Sequence, residues 1–380
     1  MMRYGLPRFR LPESVLEYEM DRIREMGVEF KTGVEFGTDI TLDDLKAEGY
    51  ESVFIAVGAQ QPNRLGVEGE DAGGVMDARS LLVATSRGDK VDTGAVVVVY
   101  GCTFEGIDAA RTALRLGAGE VYLACDGVPG KRSAVIDSLN DAKAEGVKVM
   151  DNVTLLRIHA EGGRVKGVDL ANHLGIPMHV PCDTVVAATG THAAVQGLDE
   201  IMTEKGFIKV SPKTGAAGIE GVFAGGDAVR SANIITAIAA GRRAAVSMDK
   251  FMRGSDAVLE YTEGTVCVNT DDVLKRVGYL KESAPAASLQ TAGAGERIKG
   301  FDTYTRTMTE QEAVKEASRC LNCGCGEGCQ LCKTICCEFA PFFPAIDTLG
   351  IDKDACVACG MCYNRCPNNN IIMINTGEKV

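Results

Sequence analysis

The stretch "GAVVVVYGCTFEGIDAARTALRLGAGEVYLACD", residues 94–126, decides the fold. Its first segment is a strand too apolar to have a wet face, which is typical of a parallel sheet covered on both sides. A glycine turn, a helix and a second apolar strand follow. Strand, helix and strand within about 30 residues make a βαβ unit. The sequence therefore predicts an α/β fold with a Rossmann-like parallel sheet.

Other segments repeat this pattern of a buried strand that runs into a glycine turn. They are "YESVFIAVGA" (50–59), "CDTVVAATGT" (182–191) and "GVFAGGDAV" (221–229), and the last leads into a helix through "IITAIAAGRRAA". Gly58 and Gly190 lie in the first two turns, so both are candidate cofactor-binding residues. Residues 13–26 predict an amphipathic helix that Gly27 ends.

The turn after the first strand has the pattern G-x-T-x-x-G, formed by Gly101, Thr103 and Gly106. In a dinucleotide site the glycines let the backbone approach a pyrophosphate that rests on the helix N-terminus. Asp126 ends the next strand, where a carboxylate would bind a ribose 2′-hydroxyl and repel a 2′-phosphate. NAD(H) is therefore favoured over NADP(H). The alternative is a βαβ unit that binds no ligand, since Thr103 replaces the middle glycine.

The segment "GVFAGGDAV" gives a second nucleotide signal, because its strand delivers Gly226 and Asp227 to a turn before a helix. In flavin enzymes such an aspartate binds the ribityl or pyrophosphate region of FAD, and the helix N-terminus faces the flavin. Asn233 and Thr236, at the start of that helix, complete the candidate FAD residues. The alternative is an ordinary strand–turn–helix.

The cysteines concentrate near the C-terminus, where eleven of the fifteen lie between residues 320 and 366. The run "CVACGMCYNRCP" (356–367) reads C-x2-C-x2-C-x3-C-P, the spacing that places three thiolates on one iron–sulfur cube and the fourth on a neighbour. A preceding group reads C-x3-C-x2-C-x3-C. Two [4Fe-4S] clusters in a ferredoxin-like domain are predicted. One would be held by Cys325, Cys329, Cys332 and Cys366, and the other by Cys356, Cys359, Cys362 and Cys336.

Three further cysteines of this region have no fixed assignment. Cys337 could replace Cys336, while Cys320 and Cys323 are left over. A pair of zinc sites is the alternative reading of the whole region, since C-x2-C pairs also suit zinc.

Composition limits the other classes of function. The net charge of −12 argues against a nucleic-acid partner and an anionic membrane surface. The sequence contains no run of eighteen apolar residues, so no membrane span is predicted. The N-terminus lacks the apolar core of a secretory signal. Cysteines at metal-ligand spacing, rather than in a short disulfide scaffold, indicate a reducing cytoplasm.

Taken together, these segments resemble the small subunit of glutamate synthase and its relatives, which are flavoproteins with two dinucleotide-binding domains, often linked to ferredoxin-like modules. The stretches that carry the resemblance are "MMRYGLPRFRLPESVLEYEM", "SVFIAVGA", "VVVVYGCTFEGIDAARTALRLGA", "GVFAGGDAVRSANIITAIAAGRRAA" and "EQEAVKEASRCLNCG". The resemblance implies FAD in a split domain (1–90 and 191–254) and NAD(P)H in an inserted one (91–190). A linker with a helix (255–318) and the ferredoxin-like domain (319–380) would follow.

The chain departs from that family in three places. The family's first strand–GxGxxG–helix is absent, Thr103 replaces a glycine, and Cys125 and Asp126 stand where the NADPH-using members carry an arginine pair. Either a separate subunit supplies the missing FAD half, or the chain holds no FAD, or the start codon is mis-chosen.

Two functions therefore stay open. The first is an iron–sulfur flavoprotein subunit of a cytoplasmic oxidoreductase complex, which passes electrons between NAD(P)H, FAD and [4Fe-4S] clusters to a partner subunit. The second is a non-catalytic electron-conduit and docking subunit with degenerate nucleotide sites.

Overall fold

A computed structural model of the chain describes residues 1–127, 133–193, 195–254, 286–319, 331–345, 348–366 and 371–374. These residues form two compact units. The first contains residues 1–254 and 292–304, and the second contains residues 286–291 and 305–374.

The helices are short except for one. In chain order they are α1 (Glu13–Glu25), α2 (Leu42–Ala47), α3 (Ala78–Arg87), α4 (Phe104–Arg115), α5 (Ser133–Glu145), α6 (Ile234–Met252), α7 (Ala294–Arg297), α8 (Glu310–Ser318), α9 (Leu331–Ile335) and α10 (Met361–Arg365). Gly27 follows the end of α1 with a positive φ of 87°, a conformation that glycine adopts without strain.

Most of the described strands belong to the first unit. They are β1 (Val53–Ile55), β2 (Gln61–Pro62), β3 (Val75–Asp77), β4 (Val96–Tyr100), β5 (Glu120–Cys125), β6 (Lys148–Asp151), β7 (Val153–Glu161), β8 (Arg164–Asn172), β9 (Pro177–Pro181), β10 (Thr184–Ala187), β11 (Thr191–His192) and β12 (Val222–Ala224). The second unit adds β13 (Gln290–Thr291), β14 (Thr305–Arg306), β15 (Pro341–Ala345) and β16 (Thr348–Ile351).

A parallel sheet with the strand order β3-β10-β4-β5-β6 is the centre of the first unit. The predicted βαβ unit is confirmed, because β4 and β5 pair in parallel with α4 between them. The edge strand β3 lies before residue 91, where the sequence predicts the inserted domain to begin. The sheet therefore draws its first strand from the segment that the sequence assigns to FAD binding.

Two layers cover this sheet. Helices α3, α4 and α5 supply one core with the inward side chains of β4 and β5, including Leu81, Ile107, Leu139, Val97 and Leu123. An antiparallel meander, β7-β8-β9, covers the other face and supplies a second core. Because both faces are covered, the middle strands can be apolar throughout, as the sequence predicts.

A smaller body contains the segments predicted for FAD. Strands β1 and β12 pair in parallel and form a sheet of only two strands, with a core around Ile55, Leu198 and Ile208. Two-stranded sheets are marginal by themselves, and parallel sheets are normally covered on both faces. Helix α1, which flanks this body in sequence, has no buried residue.

A buried ion cluster joins distant segments of the first unit. Glu145 at the end of α5 accepts hydrogen bonds from both Arg111 and Arg115 of α4, at 2.6 and 2.7 Å for the shortest pairs. All three side chains are at most 1% exposed. The two guanidinium groups also lie over the ring of Phe9, with 4.8 and 4.1 Å to its centroid. Residues 1–12, which precede α1 and are called the N-terminal arm, are thereby held against α4.

The segment that contains α7 packs on the same cluster. Phe301 stacks on Phe9, and the Arg115 Nε donates to the Gly300 carbonyl oxygen at 3.1 Å. Tyr304 and Arg297 both bind Asp141 of α5. Residues 292–304, predicted from the sequence to be part of a linker, therefore belong to the first unit.

The second unit contains the short ribbon β13–β14, helix α8, helix α9, the hairpin β15–β16 and α10. Helix α8 begins with a capping box: the Glu312 N–H donates to Thr309 Oγ1, and the Thr309 N–H donates to the Glu312 carboxylate. Across the part of the chain that the structure describes, no helix is long and apolar enough to cross a membrane.

Replacing Glu145 tests the role of the ion cluster. Glu145→Gln removes the charge that neutralises Arg111 and Arg115, so the free energy of unfolding should fall by about 3–5 kcal/mol. The control Asp249→Asn breaks an exposed pair with Arg253 and should change it by less than about 1 kcal/mol. Urea unfolding followed by far-ultraviolet circular dichroism measures both, and equal losses would contradict the assignment.

The same cluster sets a pH dependence. Burial alone raises the pKa of Glu145, but the hydrogen bonds from Arg111 and Arg115 outweigh it and hold that pKa below its usual value. The stabilisation is therefore complete above the usual carboxyl pKa and is lost as the pH falls through the lowered one.

Candidate nucleotide and iron–sulfur sites

The glycine turn after β4 has the backbone of a nucleotide-binding turn. Gly101 has a φ of +122°, and a Cβ placed there would meet the Ala188 carbonyl oxygen at 2.3 Å. A Cβ on Gly106 would meet the Gly101 carbonyl oxygen at 2.1 Å. Glycine is therefore required at both positions, at the first for the tight turn and at the second for close packing of α4 on the strands.

The side chains of this turn differ from those of a typical dinucleotide-binding turn, although the backbone is similar. Thr103 is the N-cap of α4, and its Oγ1 accepts a hydrogen bond from the Gly106 N–H at 3.1 Å. Glu105 lies in the first turn of the same helix, where its carboxyl takes up the positive end of the helix dipole. Burial raises the pKa of Glu105, and the Arg79 guanidinium opposes that shift. A side-chain cap and an acidic residue thus lie in the first turn of α4, the part of the helix on which a pyrophosphate would rest.

Asp126 follows β5 directly and is exposed, beside the carboxyl end of β4. The structure brings Gly101, Thr103, Gly106 and Asp126 to one edge of the sheet, next to the point where β10 and β5 flank β4 on opposite sides. Ligands of open α/β sheets bind at such switch points. The cofactor roles of these residues remain predictions.

Cys102 and Cys125 form a pair that the sequence analysis did not identify. They lie in the turn after β4 and at the end of β5, and both are buried in the same core. A hydrogen bond from Cys125 lowers the pKa of Cys102, and the same contact, with burial, raises the pKa of Cys125. The register of β4 on β5 brings them together, and sequence spacing alone does not reveal it.

Gly58 and Gly190 lie in the two segments that connect the body around β1 with the five-stranded sheet. Strands β2 and β11 pair there in antiparallel fashion, and the Asn63 N–H donates to the Gly190 carbonyl oxygen at 3.0 Å. Asn63 also bonds His192 at 2.9 Å and the Thr189 carbonyl oxygen at 3.1 Å. The two glycines therefore border a ribbon between the predicted nucleotide domains, and their cofactor roles remain predictions.

A cavity of about 510 Å³ opens beside this ribbon, between the N-terminal arm and α3. Its lining includes Asp77, Arg79 and Arg87. The Arg79 guanidinium is fixed by the Ala59 carbonyl oxygen at 2.7 Å and by the Gln60 side chain. The volume of this cavity falls in the range of small-molecule pockets.

The second nucleotide signal lies at the end of β12 and remains open to solvent. Gly226 has a φ of +65°, and a Cβ on Gly225 would meet the Phe54 ring at 2.9 Å. Asp227 Oδ1 accepts from the Ala232 N–H at 3.1 Å, which shapes the loop into α6. Asn233 caps the helix through the Thr236 N–H at 2.8 Å.

These residues fit the flavin nucleotide predicted from the sequence. The closely packed turn leaves no room for a Cβ, the first turn of α6 is mostly exposed, and Asp227 retains a second carboxylate oxygen. When bound, FAD would supply the hydride and single-electron chemistry, and this chain would supply binding and orientation.

The described part of the cysteine region contains a tight chain reversal before α10. Ala358 and Gly360 flank Cys359 with positive φ angles of 52° and 73°, so the chain reverses tightly before α10. Within the described residues, the cysteines form no group compact enough for one metal ion. A cube needs no such group, because it spreads its thiolates over several irons.

The predicted ligands divide between described and undescribed segments. Cys332 is buried, three others are half-buried (Cys336, Cys362 and Cys366), and Cys356 and Cys359 are exposed. Helices α9 and α10, which carry or border these cysteines, pack against each other. Cys325 and Cys329, with the unassigned Cys320 and Cys323, lie outside the described residues.

The fold and these sites together define an α/β oxidoreductase body of the dinucleotide-binding class, joined to an iron–sulfur segment. Residues 13–244 match the family of the pyridine nucleotide-disulphide oxidoreductases, and residues 349–372 match the 4Fe-4S binding domain. The chain therefore belongs to the pyridine nucleotide-disulphide oxidoreductase family. The predicted fold class and the predicted resemblance are confirmed.

The chain is similar to subunits of larger redox enzymes. It is 34% identical over 356 residues to the NADP(+)-dependent formate dehydrogenase subunit beta of Moorella thermoacetica, covering 85% of this chain and 49% of that protein. It is 33% identical over 293 residues to the glutamate synthase [NADPH] small chain of Escherichia coli, covering 64% and 59%. The chain thus spans about half the length of the curated relatives it matches.

A solved structure supports the fold. The oxidoreductase FprA of Mycobacterium tuberculosis matches with a TM-score of 0.53 and 16% identity, over 67% of this chain and 75% of FprA. At that identity the similarity shows the fold alone.

The Thr103 cap gives a test of the first nucleotide site. Thr103→Gly frees the Gly106 N–H and restores the middle glycine, so NADH should bind roughly ten-fold more tightly, as expected for one hydrogen bond to a charged group. The control Thr103→Ser keeps the cap and should leave binding unchanged. Calorimetry with NADH and NADPH measures both, and equal affinities of the two variants would contradict the role of the cap.

A matched pair of substitutions tests the crossover cysteine. Cys336→Ala should remove about four irons per chain, because it deletes one thiolate of a cube, whereas Cys337→Ala should remove none. Iron and acid-labile sulfide after anaerobic purification give the result. The reverse pattern would assign Cys337 as the ligand.

Proposed function

We propose that this chain is the iron–sulfur flavoprotein subunit of a multisubunit oxidoreductase, and that it passes electrons between FAD and two [4Fe-4S] clusters. The observation that carries the proposal is the open turn at Gly226 and Asp227, in the same chain as the cysteine spacing of residues 356–366. The names of the relatives, which are subunits of formate dehydrogenase and glutamate synthase, support a role inside a complex.

The body around β1 and β12 supports a flavin site that needs a second contributor. Helix α6 packs on β12 of its two-stranded parallel sheet. On α6, Ile235 and Ile238 lie three residues apart, on the same face, and are 74% and 62% exposed. Isolated apolar residues on a surface are common, but clustered ones mark an interface. A further strand–turn–helix segment, from a partner subunit, would cover them and complete the cofactor site.

Each contributor has a separate task in this arrangement. Asp227 would bind the ribityl or pyrophosphate region of FAD, and the N-terminus of α6 would stabilise negative charge on the cofactor. The closely packed glycines 225 and 226 would let the backbone approach it. The completing segment would hold the adenosine diphosphate portion and exclude water from the flavin.

The nicotinamide function has weaker support. Asp126 favours NAD(H) over NADP(H), whereas the relatives are named for NADP(H). The Thr103 side chain already accepts the Gly106 N–H, and Glu105 adds a carboxyl group to the first turn of α4, so this turn offers fewer free donors to a pyrophosphate. These contacts favour a second candidate function, an electron-conduit and docking subunit whose first nucleotide site is degenerate.

Cofactor content separates the two candidates. After anaerobic purification of the chain alone and together with its partner subunits, the flavoprotein proposal expects about eight irons per chain and one FAD, at least in the complex. About eight irons without flavin in both preparations would establish the conduit. An iron-free preparation that holds zinc would overturn both.

Asp227→Asn in the turn tests the flavin site, and Asp249→Asn on α6 is its control. Asp227→Asn should lower the affinity for FAD by at least about tenfold, because a charge-assisted hydrogen bond contributes about 1.5–3 kcal/mol. Asp249 lies on α6, distant in sequence from the turn, so Asp249→Asn should not change the affinity for FAD. Flavin fluorescence titration gives the affinities, and iron content checks that both variants fold. Equal affinities would remove Asp227 from the site.

A further inference from the structure

The outer face of the β7-β8-β9 meander carries a polar cluster that neither nucleotide site uses. Asp169 on β8 pairs in register with Arg157 on one side and with His179 on the other. His159 pairs with Gly167, two residues before Asp169 on the same face. Three adjacent strands thus present two imidazoles around one carboxylate.

The geometry of the cluster is close. His159 Nε2 lies 2.7 Å from Asp169 Oδ2, and His179 Nδ1 lies 2.8 Å from Asp169 Oδ1. One ligand atom from each residue lies within 4.8 Å of the other two. The two rings meet edge to face, with 5.0 Å between their centroids.

Gly167 creates the space that this arrangement needs. A Cβ at that position would meet His179 Cε1 at 2.7 Å and His179 Nε2 at 2.8 Å. Any other residue would push the His179 ring away from Asp169. The φ of Gly167 is not positive, so the need for glycine here comes from close neighbours, the His179 ring and the Val180 carbonyl oxygen, which the Cβ would meet at 2.9 Å.

We propose that His159, Asp169 and His179 bind one divalent transition-metal ion, with Zn²⁺ as the best match. Two imidazole nitrogens and one carboxylate oxygen are the ligand set of open zinc sites, in which a fourth position stays free for water or another ligand. Zinc–nitrogen and zinc–oxygen bonds of about 2.0–2.2 Å require the donors to separate by a few tenths of an ångström from their hydrogen-bonded spacing. Half-exposed side chains on a surface can make that adjustment.

Charge at the site favours a cation. The Asp169 carboxylate lies between the two imidazoles, within hydrogen-bond distance of both, and supplies an oxygen ligand of the kind that divalent ions bind. The Arg157 guanidinium already lies 3.2 Å from Asp169 Oδ2 and 3.3 Å from His159 Nε2. Arg157 is 46% exposed, so it can turn into solvent when an ion binds.

Arg157 makes the proposal distinguishable from a plain hydrogen-bond network. If the cluster is only a hydrogen-bond network in which Asp169 and His159 bind the Arg157 guanidinium, removal of Arg157 loosens the network. If the cluster binds a metal ion, removal of Arg157 eliminates a competing positive charge, and the affinity for Zn²⁺ should rise by about tenfold.

The test uses the full chain with its iron–sulfur clusters intact and the ring carbons of histidine labelled for NMR. One equivalent of Zn²⁺ should shift the ring signals of His159 and His179 and leave those of His173 and His192 unchanged. The four histidines of the chain thus supply their own controls. No shift, or equal shifts of all four, would overturn the proposal.

Variants give an independent measurement through competition with a chromophoric zinc chelator. Asp169→Asn and the exposed His179→Gln should each weaken binding by at least about tenfold, while Arg157→Gln should strengthen it. The cysteine region is identical in all variants, so differences report this site alone. Unchanged affinity in all three variants would assign the zinc to other residues and overturn the site.

Discussion

The carboxylate of Glu145, buried between Arg111 and Arg115, is the interaction on which the first unit depends. Two guanidinium groups share one carboxylate, and both lie over the ring of Phe9. A buried charge is tolerable only when it is neutralised and hydrogen-bonded. Each segment that satisfies this cluster is therefore held in place: the N-terminal arm through Phe9, and the returning segment through Gly300 and Tyr304.

Local patterns in the sequence were sufficient for most elements. The apolar strand β4, its glycine turn and α4 are encoded within one continuous stretch, and the capping box at Thr309 is read directly from the residue spacing. The position of residues 292–304 could not be read in this way, because it depends on contacts such as that between Arg115 and Gly300, which are 185 residues apart. Composition made this segment resemble a linker.

The candidate sites show the same division. Spacing identified Gly101, Gly106 and Asp227 as residues at strand ends, because a parallel sheet places all its carboxyl ends at one edge. It did not show that Thr103 caps α4, nor that Cys102 meets Cys125, since both depend on side-chain direction and on strand register. Both turns lead into a helix with a side-chain N-cap, Thr103 on α4 and Asn233 on α6. They differ in charge, because the first turn of α4 contains Glu105 and the first turn of α6 contains no acidic residue.

The return of residues 292–304 to α4 and α5 separates covalent connectivity from structural attachment. A break in the peptide chain between residues 254 and 291 would divide the polypeptide, yet Phe301 and Tyr304 would still bind Phe9 and Asp141. The two polypeptides from such a break could therefore still associate through these contacts. Residues 292–304 are joined to the second unit at both ends, because residues 286–291 and the residues from 305 onward both belong to that unit and pair as β13 and β14.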